Sequence, residues 1–144
     1  MDVLRASPVG VYERGFAQFI DLTVNSFASL IISLSLYTEN SAFLTFFFVT
    51  FVIFSVLYDI SLPLLWNGYT IGKRVVGIRI APVACKKLTL LTLVIREFFV
   101  KTILYGAGFG VLSLISIYLI STRADKRSIH DLLAKTYITS NLPE

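Results

Sequence analysis

Two apolar stretches without a single charged residue constrain the fold of this chain more than any other feature. They cover residues 41 to 58 and 102 to 122. At about 1.5 Å per helical residue, each approaches the length that crosses about 30 Å of hydrocarbon. A third apolar run, from 15 to 37, is interrupted only by Asp21. Because 56% of the residues are hydrophobic and only 15% are charged, a soluble fold would lack a polar shell, and an integral membrane protein is predicted.

The chain length and the reactive residues that are present narrow the possible class of protein further. A chain of 144 residues indicates one membrane domain, 1–144. The first apolar run is expected to be retained rather than cleaved, because Asp21 lies inside it and no small-residue cleavage pattern precedes Tyr37. Cys85 is the only cysteine, which excludes an intrachain disulfide and a cysteine zinc cluster. The sequence has no metal cluster, nucleophile triad or dinucleotide fingerprint, so we expect no cofactor, no metal and no enzymatic activity.

The basic residues are concentrated in one loop. The net charge is +4, and the stretch from 67 to 101 holds seven of the thirteen basic residues and one acid, Glu97. This is typical of a cytoplasmic loop under the positive-inside rule, and it argues against nucleic acid as the partner. The prediction is a multi-pass protein of the cell membrane, with the N-terminus and the 67–101 loop cytoplasmic. Lipid headgroups are the expected partners of three basic residues: Lys73, Arg74 and Lys101.

The periodicity predicts four helices and a short pair of strands. Arg96, Glu97 and Lys101 fall on one side of the third helix, which suits an amphipathic helix in the bilayer interface. The fold class is an all-α membrane bundle of three transmembrane helices plus an amphipathic or re-entrant helix, with a small cytoplasmic β-hairpin. The predicted helices cover about 13–36, 41–65, 88–104 and 108–121, and the predicted strands cover 78–81 and 136–139.

The C-terminal tail creates a conflict in the topology. Three spans that start inside would place this basic tail outside, against the positive-inside rule. A broken helical hairpin over residues 88 to 121, bending at GAGFG, would return the tail to the cytoplasmic side. There KTYIT could pair with GIRIA. Three plain spans remain the alternative.

Polar residues of the first helix share one face. Positions spaced by three or four residues stack on one side of a helix, and intramembrane charges usually face a protein interior or a water-filled cavity. Asp59 on the second helix is placed at a similar depth to Asp21, so the two carboxylates could form a paired site. Alternatively, Arg14 and Asp59 are solvated at the interface and Asp21 belongs to a structural ion pair. The polar face comprises Arg14, Gln18, Asp21, Asn25, Ser29 and Ser33.

Four stretches together resemble the RDD family of small bacterial membrane proteins, named for one arginine and two aspartates. By this resemblance Arg14 is the family arginine and Asp21 the first aspartate. Asp131 is the second aspartate, although Asp59 competes for that role. The departure from the family pattern is Lys135, where glycine is expected. The stretches are RGFAQFID at 14–21, GYTIGKRVVGIRI at 68–80, RE at 96–97 and IHDLLAKTYI at 129–138.

The resemblance implies two functions. One is sodium/proton antiport, in which Asp21, with Asn25 and, in the paired site, Asp59 as neighbours, holds a proton and a monovalent cation in turn. So small a chain would have to form a homo-oligomer. The other is an accessory or regulatory module for a larger membrane protein, in which Arg14, Asp21 and Asp131 clamp the first helix to the tail. The degree to which solvent reaches Asp21 distinguishes the antiporter from the accessory module. His130 beside Asp131 is either structural or a proton-handling group.

Overall fold

The computed structural model describes residues 8–37, 42–83, 87–98 and 111–140. Two long helices form its frame: α1 (Val11–Leu36) and α2 (Phe43–Leu65). Both are long and apolar enough to cross a membrane. They match the predicted 13–36 and 41–65 closely, because the apolar runs that define them are long and clearly bounded.

The two sides of α1 have the reverse of the polarity seen in a soluble protein. The side chains that it buries are small or polar, from Ala17 and Asp21 to Ser33. Its large aromatic side chains point outward, and Phe16, Phe19 and Phe27 are each at least 60% exposed. An exposed apolar surface of this extent is stable against lipid rather than water. This pattern supports the predicted membrane location.

A tight turn after α2 leads into a short helix and a strand. Asn67 and Gly68 both adopt positive φ, at 50° and 97°, and a Cβ at Gly68 would lie 2.1 Å from the Ile80 carbonyl oxygen. Thr70 then caps α3 (Ile71–Val76) by accepting a hydrogen bond from the Lys73 amide. Gly77, in the left-handed conformation, ends α3 before β1 (Arg79–Pro82). The chain thereby folds back toward the start of α1.

The predicted pairing of the loop with the tail is confirmed. Strand β1 pairs antiparallel with the final strand, β2 (Thr136–Thr139), in a register that places Ile80 opposite Ile138. Pro8, just before α1, forms a further bridge to Thr139. Val9, Ala17, Ile78 and Ile138 pack together in a small apolar cluster. The beginning of the chain, the basic loop and the tail therefore meet at one end of the molecule.

The segment predicted as an interfacial helix has its charges inside. It begins as α4 (Leu90–Leu93), capped by Thr89, and widens into a π-helical stretch through residue 98. Arg96 and Glu97 are only 2% and 4% exposed, whereas Leu91 is 69% exposed. The segment is amphipathic as expected, but its charged side faces protein because acidic and basic partners are available there. Lys101 lies outside the described residues.

The count of three transmembrane helices is supported only in part. The third apolar helix, α5 (Val111–Thr122), has 12 residues, so it is about 18 Å long. That length does not by itself cross the bilayer core. The rest of the predicted hairpin, including the whole GAGFG bend, lies outside the described residues. After α5 come α6 (Ile129–Leu133) and β2.

Candidate functional site

Asp21 lies at the centre of a closed network of hydrogen-bond donors. Its Oδ1 accepts hydrogen bonds from the Tyr58 hydroxyl at 2.7 Å and from the Gly72 amide at 2.8 Å. Its Oδ2 accepts one from the Thr70 hydroxyl at 2.6 Å, and the Lys73 ammonium is 3.9 Å away. Only 1% of Asp21 is exposed. The Asp21 carboxylate is therefore paired with several donors and shielded from solvent.

The close approach of α3 to α1 builds this network. A Cβ at Gly72 would lie 2.1 Å from the Ala17 carbonyl oxygen and 2.9 Å from the Asp21 carboxyl carbon. Only glycine lets the backbone of α3 come near enough for its amide to reach the carboxylate. Thr70 contributes twice, because the hydroxyl that caps α3 also donates to Asp21. The Thr70 hydroxyl thus connects the start of α3 to Asp21.

Lys73 and Arg74 occupy different environments. Lys73 is 7% exposed and lies beside Asp21. Arg74 is exposed and places its guanidinium 5.2 Å from the ring centre of Trp66, a cation-π contact. Arg74 is thus positioned at the surface, as its predicted headgroup role requires, whereas Lys73 points inward.

The second carboxylate of the predicted pair, Asp59, is also buried, at 7% exposure. However, it is the neighbouring Tyr58 whose hydroxyl binds Asp21. Consecutive side chains leave a helix about 100° apart, so Tyr58 and Asp59 point in different directions from α2. Among the contacts of the described residues, the side chain of α2 that binds Asp21 is the Tyr58 phenol.

Beyond Asp21, the buried face of α1 continues as a polar row. Asn25, Ser29 and Ser33 are at most 4% exposed. The Asn25 Oδ1 and the two serine hydroxyl oxygens have no hydrogen-bond partner among the described residues. Gln18, which the helical spacing had placed on the same face, is exposed instead, and Ala17 occupies the buried position against α3. The row is a second polar environment, separate from the closed network.

A second cluster of charges joins the start of α1 to the tail. The Arg14 guanidinium donates to Asp131 Oδ2 at 2.6 Å, to the Val9 carbonyl at 3.2 Å and to the Lys126 carbonyl. Asp131 itself is fully buried. Arg14 and Asp131 are 117 positions apart in the sequence. The structure thus brings together the arginine and the aspartate that the family resemblance had singled out.

Arg96 completes this cluster from the opposite side. Its guanidinium lies 3.0 Å from Asp131 Oδ1 and 3.1 Å from Glu97 Oε1, and it donates to the Thr136 hydroxyl at 3.3 Å. Asp131 therefore lies between two arginines from distant parts of the chain. We refer to Arg14, Arg96, Glu97 and Asp131 as the charge clamp.

The position of Asp131 follows from local sequence. Ser128 and Asp131 form a capping box at the start of α6, in which each side chain binds the backbone amide of the other. Burial alone would raise the pKa of Asp131, but the positive charges of Arg96, His130 and Arg14 outweigh it and hold the pKa well below its usual range. His130 Nε2 lies 3.0 Å from the Ser128 hydroxyl and 3.7 Å from Asp131. The carboxylate is thus ionised and fixed in place.

Sequence reasoning did not single out Tyr58, Arg96 or Ser128 as partners of the aspartates. A signal existed for Ser128, because serine three residues before an acid is a capping box. Arg96 was visible as one charge of an amphipathic segment and as part of the RE stretch of the family resemblance, and Tyr58 only as the neighbour of Asp59. Their roles depend on contacts between distant segments, which spacing along one helix does not reveal.

The sequence of this chain is similar to those of known proteins. The model of the RDD family matches residues 8–135. Among curated proteins, the Uncharacterized protein YckC of Bacillus subtilis (strain 168) is 43% identical over 96 residues, which is 67% of this chain and 62% of YckC. The aligned segment thus spans under two thirds of that relative. No solved structure matches. With most of its length matched, including the arginine and both aspartates described above, this chain belongs to the RDD family.

Proposed function

We propose that this protein is a non-catalytic accessory or regulatory module that binds a larger membrane protein. The observation that carries the proposal is the closed environment of Asp21. A carboxylate that exchanges a proton for a cation needs access to water, whereas this one is 1% exposed and receives donors from Tyr58, Thr70 and Gly72. Opening this network would separate α1 from α3.

The charge clamp supports the same proposal. A buried ion pair contributes little net stability, but removing one partner leaves an uncompensated charge that costs about 3–5 kcal/mol. Such a cluster fixes one arrangement of α1, the loop and the tail. The outer faces of α1 and α2 remain apolar and are available to lipid or to another membrane protein. A fixed inner arrangement with an apolar exterior is what a docking module requires.

Photo-cross-linking in native membranes tests the docking function. A cross-linking residue in place of Phe48 or Leu57, both exposed on α2, should give one discrete adduct with a different, larger membrane protein. The matched control replaces Ser29, which is fully buried, and should give no such adduct. Adducts containing only a second copy of this chain, or none from either outward position, would contradict the proposal.

Cation/proton antiport is the second candidate, and the polar row on α1 favours it. Buried polar atoms are nearly always satisfied by protein, water or an ion, and Asn25, Ser29 and Ser33 each hold an oxygen without a partner in the described residues. In this alternative, water or a monovalent cation occupies the row and communicates with Asp21.

Sealed vesicles containing the purified protein separate the two functions. An antiporter would couple a sodium, potassium or lithium gradient to a pH change. Asp21→Asn would abolish the coupling, and Asp125→Asn, at the surface of the tail, would preserve it. The module proposal expects no cation-linked proton movement from the wild type. A coupling that depends on Asp21 would overturn it.

A further inference from the structure

A cavity of about 250 Å³ lies between the first turns of α1, the helix α5 and the tail. At about 30 Å³ for each water molecule in the liquid, it corresponds to roughly eight waters. Most of its wall is apolar, and the contributing side chains come from four parts of the chain. They are Val11, Ile78, Ile117, Ile120 and Ile138.

Most of the charged side chains that line the cavity are basic. Arg14, Lys73, Arg96 and His130 line it, against one acid, Glu97. The carboxylates that neutralise three of these groups belong to Asp21 and Asp131, which are 1% and 0% exposed and are not among the lining residues. Of the charged side chains that the described residues contribute to the cavity wall, four are basic and one is acidic.

Arg14 retains hydrogen-bonding capacity toward a ligand. A guanidinium carries five N–H groups, and those of Arg14 that bind protein go to Val9, Asp131 and Lys126. About two of the five N–H groups thus have no acceptor within the described part of the chain. Guanidinium groups bind phosphate and carboxylate well because their donors match the spacing of the oxygens.

The cavity opens sideways between α1 and α5. Gly15 and Gln18 line it from α1 and are exposed, and Ile117 lines it from α5 with 46% of its surface exposed. A Cβ at Gly15 would meet no atom within 4 Å. Because α1 is a candidate membrane span, this opening faces the lipid beside its first turns. A molecule with a polar head and an apolar tail could enter from there.

We propose that this cavity binds an anionic phospholipid from the leaflet that surrounds the start of α1. Its phosphate lies near Arg14 and His130, where it accepts hydrogen bonds from the remaining guanidinium N–H groups. The first part of one acyl chain packs against Ile117 and Ile120. This lipid site is independent of both docking and transport.

Native mass spectrometry of the purified full chain, with phosphatidylglycerol and phosphatidylcholine supplied in equal amounts, tests the proposal. The wild type should retain one phosphatidylglycerol per chain. Gly15→Leu fills the opening with a helix-compatible side chain, so it should reduce the retained phosphatidylglycerol by about tenfold or more, equivalent to at least about 1.4 kcal/mol. Thr23→Leu is the matched control, because Thr23 is exposed on the same helix and is not a lining residue.

Two further measurements test the lipid site without depending on the folding of Gly15→Leu. Gln18→Glu places a negative charge at the opening and should abolish the preference for phosphatidylglycerol over phosphatidylcholine, even if Gly15→Leu does not fold. Inorganic phosphate alone should not raise the melting temperature, whereas phosphatidylglycerol should. Equal retention of both lipids by the wild type, equal retention by Gly15→Leu and Thr23→Leu, or stabilisation by phosphate alone would each overturn the proposal.

Discussion

Gly72 lies where the backbone of α3 packs directly against α1. This contact requires that residue 72 have no side chain. The atom that a Cβ would strike first is a backbone oxygen, that of Ala17, which cannot rotate away as a side chain can. Gly15, by contrast, has open space where its Cβ would lie. The two glycines of neighbouring elements therefore serve different purposes, and their substitutions should have opposite effects.

Gly72→Ala should lower the stability of the folded protein by about 1–3 kcal/mol, the usual cost of overpacking. Gly15→Ala should raise it by about 0.5–1 kcal/mol, because alanine is favoured over glycine within a helix. Melting temperatures of the detergent-solubilised variants would show the opposite signs. A Gly72→Ala variant as stable as the wild type would mean that α3 does not approach α1 this closely.

Lys135, where the family pattern predicts glycine, adopts a φ of 52° in the turn between α6 and β2. An L-residue pays about 1 kcal/mol in this left-handed conformation, whereas glycine does not. Lys135→Gly should therefore raise the melting temperature slightly, since part of the gain is offset by the greater freedom of glycine in the unfolded chain. Lys87→Gly is the control, because Lys87 is exposed and has no positive φ. A lower melting temperature for Lys135→Gly would contradict this account.

At the scale of elements, the charge clamp connects four segments that lie far apart in the sequence. It connects the start of α1, the π-helical stretch, α6 and β2 through the two sides of Asp131. The depressed pKa of Asp131 sets how this connection depends on pH. The folded protein binds a proton at Asp131 more weakly than the unfolded chain does. The stabilising contribution is thus complete above the unfolded pKa and is lost as the pH falls through the folded pKa.

We expect the melting temperature of the wild type to fall as the pH decreases below about 4, the ordinary pKa of an aspartate. Asp131→Asn should be less stable at pH 7, by an amount near the 3–5 kcal/mol that breaking a buried ion pair typically costs, and its melting temperature should depend less on pH in the acid range. Asp125→Asn, which loses a surface pair with Arg123, should change little. Parallel acid profiles for the wild type and Asp131→Asn would refute the assignment.

The elements that the sequence predicted well are those whose pattern is local. The long apolar runs gave α1 and α2, and the alternation in GIRIA and KTYIT gave the two strands, because each pattern repeats within a few residues. The environment of the charged side of the π-helical stretch was not predicted, since an amphipathic pattern does not tell protein from headgroups or solvent on its charged side. Arg96 and Tyr58 were missed as partners of the aspartates because their contacts cross 35 or more positions.

At the scale of the whole molecule, the sheet determines which ends of the chain lie together. Strands β1 and β2 pair directly, so the loop after α2 and the tail after α5 belong to the same face of the protein. Arg14 reaches that face from the start of α1. A chain that crossed the membrane three times in full would have to place its tail on the other side from its N-terminus, and these contacts would be impossible.

Cysteine labelling tests this arrangement in cells. In a Cys85→Ser background, cysteines introduced at Lys87 and Lys135, both exposed, should react alike with a reagent that does not cross membranes. The positive-inside rule predicts protection in intact cells and labelling after the cells are opened. Opposite behaviour of the two positions would rule out the contacts between the loop and the tail in the native membrane.

The sequence separation between Arg14 and Asp131 also determines when their ion pair can form during synthesis. The ribosome adds the 117 positions between them in roughly 6 to 23 s, at about 5–20 residues per second. Throughout that interval α1 has been made, yet the acid that compensates its arginine does not exist. An interrupted chain presents an unmatched cation at the membrane surface, a feature that proteases and chaperones could distinguish from the finished protein. The charge clamp therefore cannot close before Asp131 has been synthesised.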